Sequence, residues 1–322
     1  MITYIDALRE GMREELLRDE NVYCLGEDIG TYGGAFRATA GFLDEFGRPR
    51  ILDTPLSEIA IVGAAVGSAL LGMRPVAEMQ FADFVANGFN MLVNFAAKVH
   101  YRWGAACPLV IRLPSGGGTR GGPFHATNPE AWFTRVPGLK VVCPSTVRDA
   151  KGLIKAAIRD DNPVLYFEHK FLYRRLKEDL GSDEVLTPIG KARMVREGDD
   201  VTLLTYGAMA YHAEAVAEEL AGEGVSVEVI DLRSLVPLDE QAILDSVKKT
   251  NRVVVCHEDT LTGGFGGEIA ARIAEFAFEH LDAPIRRVAA LDTPVPHAPQ
   301  LEDAFLPQPA DMKAALVETA KY

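Results

Sequence analysis

Cysteine is scarce in this 322-residue chain: Cys24, Cys107, Cys143 and Cys256 lie far apart. They have neither the density of a disulfide scaffold nor metal-ligand spacing, so they read as reduced thiols of the core. Basic charge is also short, with 33 Lys and Arg against 46 Asp and Glu and a formal charge of −13. A nucleic-acid binder needs a basic face for phosphates, so that partner class is not expected, and Arg174-Arg175-Leu176-Lys177 reads as a solvated loop. The longest uncharged run, Ile59 to Met73, is too short and too rich in glycine and alanine to cross a bilayer, and no membrane partner is expected. The chain passes from Met1 into the amphipathic pattern Ile5, Leu8, Met12 and Leu16 without a targeting segment, so a cytoplasmic location is expected. No Gly-Lys-Ser/Thr of a nucleotide phosphate loop occurs.

What is present is an alternation of short β-rich runs with helical patterns, enough chain for two cores. Val22–Leu25, Pro75–Met79, Pro108–Leu113, Lys140–Cys143 and Val164–Phe167 read as strands. Ile5–Leu17, Glu58–Leu71, Val85–Arg102 and Arg148–Arg159 read as helices. The rhythm pauses in a charged stretch and restarts at Val201. The pattern predicts an α/β protein of two domains, 1–180 and 201–322, joined by a linker at 181–200, each an open, mostly parallel sheet flanked by helices.

Asp53-Thr54-Pro55-Leu56-Ser57-Glu58 places a single carboxylate at the mouth of an uncharged helix. Thr54 or Ser57 suits its cap and Pro55 its first turn. The helix is expected to be buried almost all round. Gly63 and Gly67, beside Ala64 and Ser68, would let another backbone approach, from this chain or from a second one. Two readings of Glu58 stand at this point: a buried carboxylate that meets a proton-carrying ligand, or a helix-start glutamate in water favoured by the dipole.

A second candidate is Ser115-Gly116-Gly117-Gly118-Thr119-Arg120-Gly121-Gly122-Pro123-Phe124-His125-Ala126-Thr127, after the strand ending near Leu113. Its glycines would let backbone amides approach a ligand, and His125 is available for proton transfer; the alternative is a mobile surface loop. Gly263-Gly264-Phe265-Gly266-Gly267 fails the dinucleotide register and reads as a tight turn before a helix. Thiamine-diphosphate enzymes usually hold Mg²⁺ with a Gly-Asp-Gly motif, and none occurs; Gly198-Asp199-Asp200 is a linker turn.

With these features the chain resembles the beta subunit of the thiamine-diphosphate-dependent decarboxylating component of 2-oxo acid dehydrogenase complexes, the pyruvate, branched-chain and acetoin dehydrogenase family. The resemblance runs over almost the whole length. Its markers are Leu25-Gly26-Glu27-Asp28, Asp53 to Glu58, Arg74 to Phe81, Pro137 to Val142, Asp149 to Leu153, Ile158 to Pro163 and Ile230 to Asp239. It implies a pyrimidine-type domain followed by a transketolase C-terminal-type domain.

It also implies oxidative decarboxylation of a 2-oxo acid and reductive acylation of lipoyl groups. An alpha subunit would hold Mg²⁺ and the diphosphate in an alpha2beta2 heterotetramer, docked on a lipoyl acyltransferase core. The position of Glu58 would hydrogen-bond the cofactor's aminopyrimidine nitrogen. Phe84 and Gln80 would line that pocket, and Glu27 would join a proton path. His125 would face substrate and lipoyl group, although relatives commonly read His-Ser-Gln where this chain has His125-Ala126-Thr127. A potassium ion is expected at Leu109, Ala157, Ile158, Asp160 and Asn162. Acidic side chains between Glu197 and Glu228 would meet the basic domain of the core. The alternatives are an acetoin dehydrogenase beta subunit, a transketolase-like half-enzyme, or a non-catalytic assembly subunit.

Overall fold

The computed structural model describes residues Met1–Tyr322, and the chain divides into two compact units. The first comprises Met1–Ser115 and Trp132–Ile189, the second Gly116–Ala131 and Gly190–Tyr322. The sequence places the boundary at 181–200 and assigns all of 1–180 to the first domain. In the structure the glycine loop packs with the second unit, where its hydrogen bonds and apolar contacts are made. The structure also builds a strand, Arg193–Arg196, inside the expected linker, antiparallel to Val227–Asp231.

In the first unit a parallel sheet runs in the order Lys140–Val142, Val164–His169, Val110–Ser115, Arg74–Glu78, Val22–Gly26, Ile51–Asp53. Its central strands are buried throughout, as expected where helices cover both faces. The helices Tyr4–Arg18 and Val147–Arg159 begin at Thr3 and Thr146, whose side chains accept from the amides of Asp6 and Asp149. They pack closely at Gly11, where a Cβ would stand 2.7 Å from Ile154 Cγ2. Across the strands, Arg112 is buried between Glu78 and Glu168 and pairs with both.

Two helices depart from expectation. The uncharged helix Glu58–Leu70 is not buried all round: Ile61, Val62, Ala65, Val66 and Ala69 face the core, while Ile59 and Leu70 are exposed. A Cβ on Gly67 would meet nothing within 4 Å. The expected helix from Val85 to Arg102 is interrupted: Val85–Asn90 and Ala97–Trp103 flank a π-helical turn at Met91–Ala96.

The second unit is built on a five-stranded sheet in the order Arg286–Ala290, Val253–Thr260, Val201–Thr205, Val227–Asp231, Arg193–Arg196, parallel except for the last strand. Helices Ala208–Gly222, Glu240–Thr250, Gly266–Phe276 and Pro309–Ala320 accompany it. The proline-rich tail hides one further helix, Pro299–Phe305, which starts on its proline. No helix of either unit is long and apolar enough to cross a membrane.

Candidate active site

In the first sheet, Val22–Gly26 pairs with Ile51–Asp53 on one side and Arg74–Glu78 on the other. The chain visits one neighbour and then crosses to the other, so the crevice of an open parallel sheet lies beyond these carboxyl ends. Glu27 follows the first strand, Thr54 to Glu58 the second, and Gln80 the third. Three adjacent strands thus deliver their candidate residues to one edge, which no local pattern in the sequence could show.

Glu58 opens its helix and is 7% exposed. The carboxylate accepts from Asn87 Nδ2 at 3.1 Å. Asn87 comes this near because Gly88 packs on the Glu58 helix, where a Cβ would stand 2.7 Å from Val62 Cγ2. Glu27 is equally buried, and its Oε1 has no hydrogen-bond partner. Burial raises the pKa of Glu27, the Glu58 charge raises it further, and the Ser57 backbone N–H opposes the rise. An uncompensated carboxylate beside a second one is costly unless a proton or a ligand is shared, so the water-exposed reading of Glu58 does not describe this site.

Gln80 donates to Asp28 Oδ2 at 3.4 Å, a long contact on the same rim. Phe84 ends the short turn Ala82–Phe84 and meets Phe81 edge to face, with ring centroids 5.6 Å apart. Asn87 was not evident from the sequence. Its only signal is an amide side chain about one turn past Phe84, a signal that Asn90 and Asn94 share.

His125 belongs to the second unit and is half-buried at the end of the turn Gly122–Phe124. Several of the loop's amides are already engaged within the protein. Gly117 N–H donates to Glu258 Oε1 at 2.7 Å, and Gly118 N–H to Glu302 Oε1 at 3.1 Å. Ala126 sits in an apolar cluster with Ala290, Val295 and Phe305. The Gly263–Gly267 turn is explained by His257: a Cβ on Gly264 or Gly266 would come within 2.5 Å of its ring.

At the expected cation position, Arg74 Nη1 donates to the carbonyls of Ile158 and Asp160 at 3.1 and 3.2 Å. The Leu109 carbonyl accepts from Val164 N–H at 2.8 Å, that of Ala157 from Asp160 N–H at 3.3 Å, and Asn162 N–H donates to Asp160 Oδ1 at 2.9 Å. This donor set fits a turn held by a guanidinium.

Comparison with known proteins gives two domains, with the glycine loop inside the first. The pyrimidine-binding domain family of transketolase covers residues 1–175, and the transketolase C-terminal domain family covers 190–312. The beta subunit of 2-oxoisovalerate dehydrogenase from Bacillus subtilis is 48% identical over 100% of this chain and 99% of its own length. A mitochondrial 2-oxoisovalerate dehydrogenase beta subunit of Arabidopsis thaliana is 43% identical over 98% of this chain and 88% of its own. The pyruvate dehydrogenase E1 component beta subunit of Rickettsia felis is 42% identical over 100% of this chain and 99% of its own. A solved split-gene transketolase, described as an inactive beta4 tetramer, shares the fold with a TM-score of 0.81 at 22% identity, covering 99% of this chain and 98% of that one. Matched over its full length, the chain belongs to the beta-subunit family of the 2-oxo acid dehydrogenases, built from a transketolase-type pyrimidine-binding domain and a transketolase-type C-terminal domain.

Proposed function

We propose that this chain is the beta subunit of a thiamine-diphosphate-dependent 2-oxo acid dehydrogenase, active with an alpha subunit and passing its acyl product to a lipoyl disulfide. The observation that carries the reading is the buried Glu58 and Glu27 pair at the carboxyl ends of adjacent strands, with an unpartnered oxygen on Glu27. That orphaned atom and the carboxyl beside it fit a ring that exchanges a proton. When bound, thiamine diphosphate supplies the electron sink for decarboxylation.

The protein's own part is proton handling. Glu58 holds and moves a proton at its carboxyl, with Asn87 fixing the direction of Oε2. Glu27, whose pKa is raised by burial and by the Glu58 charge, is the second carboxyl of this site. Phe84 and Gln80 wall the pocket and keep water out. His125 orients the 2-oxo acid and assists the sulfur of the incoming lipoyl group. Mg²⁺ would be held by the alpha subunit, since the chain lacks a Gly-Asp-Gly. No step in this reading runs through a monovalent cation, which would have to share its carbonyls with Arg74.

The alpha subunit has a surface to cover. Ile59 and Leu70 on the Glu58–Leu70 helix are exposed, as are Phe89, Phe95, Tyr101 and Trp103 on the following helical stretch. An apolar face of this kind in a chain carrying −13 of charge supports a permanent partner. The acyltransferase core would meet the second domain.

The test is turnover by the complex with its alpha subunit, comparing pyruvate with 2-oxoisovalerate, with and without thiamine diphosphate and Mg²⁺. Cofactor-dependent carbon dioxide release that depends on Glu58 is expected, and the preferred acid names the substrate. An intact assembly whose Glu58→Gln variant keeps full activity would leave this chain an assembly subunit.

A further inference from the structure

The loop that carries His125 is rich in glycine and needs an external mount, because glycine gives up more conformational freedom on ordering than any other residue. The second unit supplies one. Glu302, fully buried on the helix Pro299–Phe305, uses both oxygens: Oε1 accepts from Gly118 N–H at 3.1 Å, and Oε2 from Arg120 N–H at 3.2 Å and Arg120 Nη1 at 2.9 Å. Glu258 Oε1 accepts from Gly117 N–H at 2.7 Å and Asn128 Nδ2 at 2.8 Å. These contacts bracket His125, before it at 117–120 and after it at 128. Arg120, held at φ 62°, also donates to the Pro299 carbonyl at 2.8 Å and to Asp303 at 2.7 Å. There is no slack at Gly117, where a Cβ would stand 2.9 Å from Leu306 Cδ2.

We propose that Glu302, seconded by Glu258, is the positioning residue for His125. Buried carboxylates accepting backbone N–H groups make charge-assisted bonds, stronger than neutral ones. They engage the amides of Gly117, Gly118 and Arg120, so this stretch of the loop is a mount for its histidine and not an anion cradle. Ala126, packed among Ala290, Val295 and Phe305, pins the residue next to it, while Phe124 remains exposed at the tip. The inference rests on His125 serving the acyl transfer to lipoyl.

The experiment uses the assembled complex with Glu302→Gln, Glu302→Ala and His125→Ala. Amide hydrogen exchange is followed over 116–128, alongside turnover with a lipoyl domain and with an artificial electron acceptor. In the Glu302 variants the loop amides are expected to exchange about 10- to 100-fold faster. In Glu302→Ala, lipoyl-dependent kcat should fall by about 100-fold, as for a misplaced catalytic group acting on both the 2-oxo acid and the incoming sulfur. Artificial-acceptor turnover should fall by a smaller factor, since there His125 acts on the 2-oxo acid alone. Glu302→Gln keeps acceptor oxygen without charge and should fall between, which also carries the test should Glu302→Ala not assemble. Unchanged exchange over 116–128 in the variants overturns the clamp. Faster exchange with unchanged lipoyl turnover overturns the positioning role. A His125→Ala enzyme with full activity in both assays overturns the reading of His125, while exchange still decides the clamp.

Discussion

Asn87 donates its side-chain amide to Glu58 Oε2 across 3.1 Å, which couples the two helices that frame the candidate proton site. Replacing Glu58 by Gln should remove the proton carrier and lower kcat on the order of 100- to 10,000-fold. Asn87→Ala removes one hydrogen bond to a buried carboxylate, and a loss of about 10-fold is expected. Asn87→Asp is the more informative change. It replaces the donor by a second carboxylate, so the bond to Glu58 Oε2 gives way to like-charge repulsion and kcat should fall further than in Asn87→Ala. Equal rates in the two variants would detach Asn87 from the chemistry.

These two residues also show what the sequence can carry. Glu58 is legible because Asp53-Thr54-Pro55 and Ser57 announce a helix start and no other charge follows until Arg74. Asn87 is not, since its partner lies 29 residues away and the contact depends on the absence of a side chain at Gly88. Strand periodicity located the sheets, yet it could not say that residues 116–131 pack in the second unit, a fact set by bonds from Gly117 and Gly118 to Glu258 and Glu302. Hydropathy predicts the uncharged helix buried almost all round because it does not distinguish a core from an exposed apolar face. The helix at Pro299 was masked by prolines, which suit a first turn as well as a loop.

Arg112 is the cation between two buried carboxylates, Glu78 and Glu168. Burial raises the pKa of both, and Arg112 holds the rise in check. Arg112→Met leaves both without a counter-charge and should cost about 3–5 kcal/mol at neutral pH. Carboxylates whose folded pKa is raised destabilise the fold only while ionised. The deficit in Arg112→Met should therefore shrink as pH falls and both take up protons, as urea unfolding at several pH values would record.

Gly138 tests a close backbone approach. It has φ 99°, and a Cβ there would stand 1.8 Å from the Ala97 carbonyl oxygen. Both the left-handed backbone and the clash oppose any side chain. Gly138→Ala should lose about 3 kcal/mol or more of stability. Thermal unfolding checks this, and a melting temperature equal to that of the parent would contradict the packing at the end of the Ala97–Trp103 helix.

Asp259 and His257 share one strand and respond to pH in opposite directions. Burial, with the Glu258 charge adding to it, lifts Asp259 from 3.8 to about 6. The folded protein then binds the extra proton, so this group's contribution is most favourable below about pH 4 and is lost as pH rises through 6. Burial, helped by Arg287, lowers His257 from 6.5 to about 4. Here the unfolded chain binds the extra proton, so stability falls as pH drops from 6.5 through 4. The two windows overlap, and in the parent protein they should partly cancel. Asp259→Asn removes the first term, leaving unfolding free energy that rises more steeply with pH between 4 and 6.5. His257→Gln removes the second, and stability should then fall with pH over the same range. Denaturant titrations at half-unit steps would separate them, and parallel curves for both variants and the parent would show that neither group titrates as its burial requires.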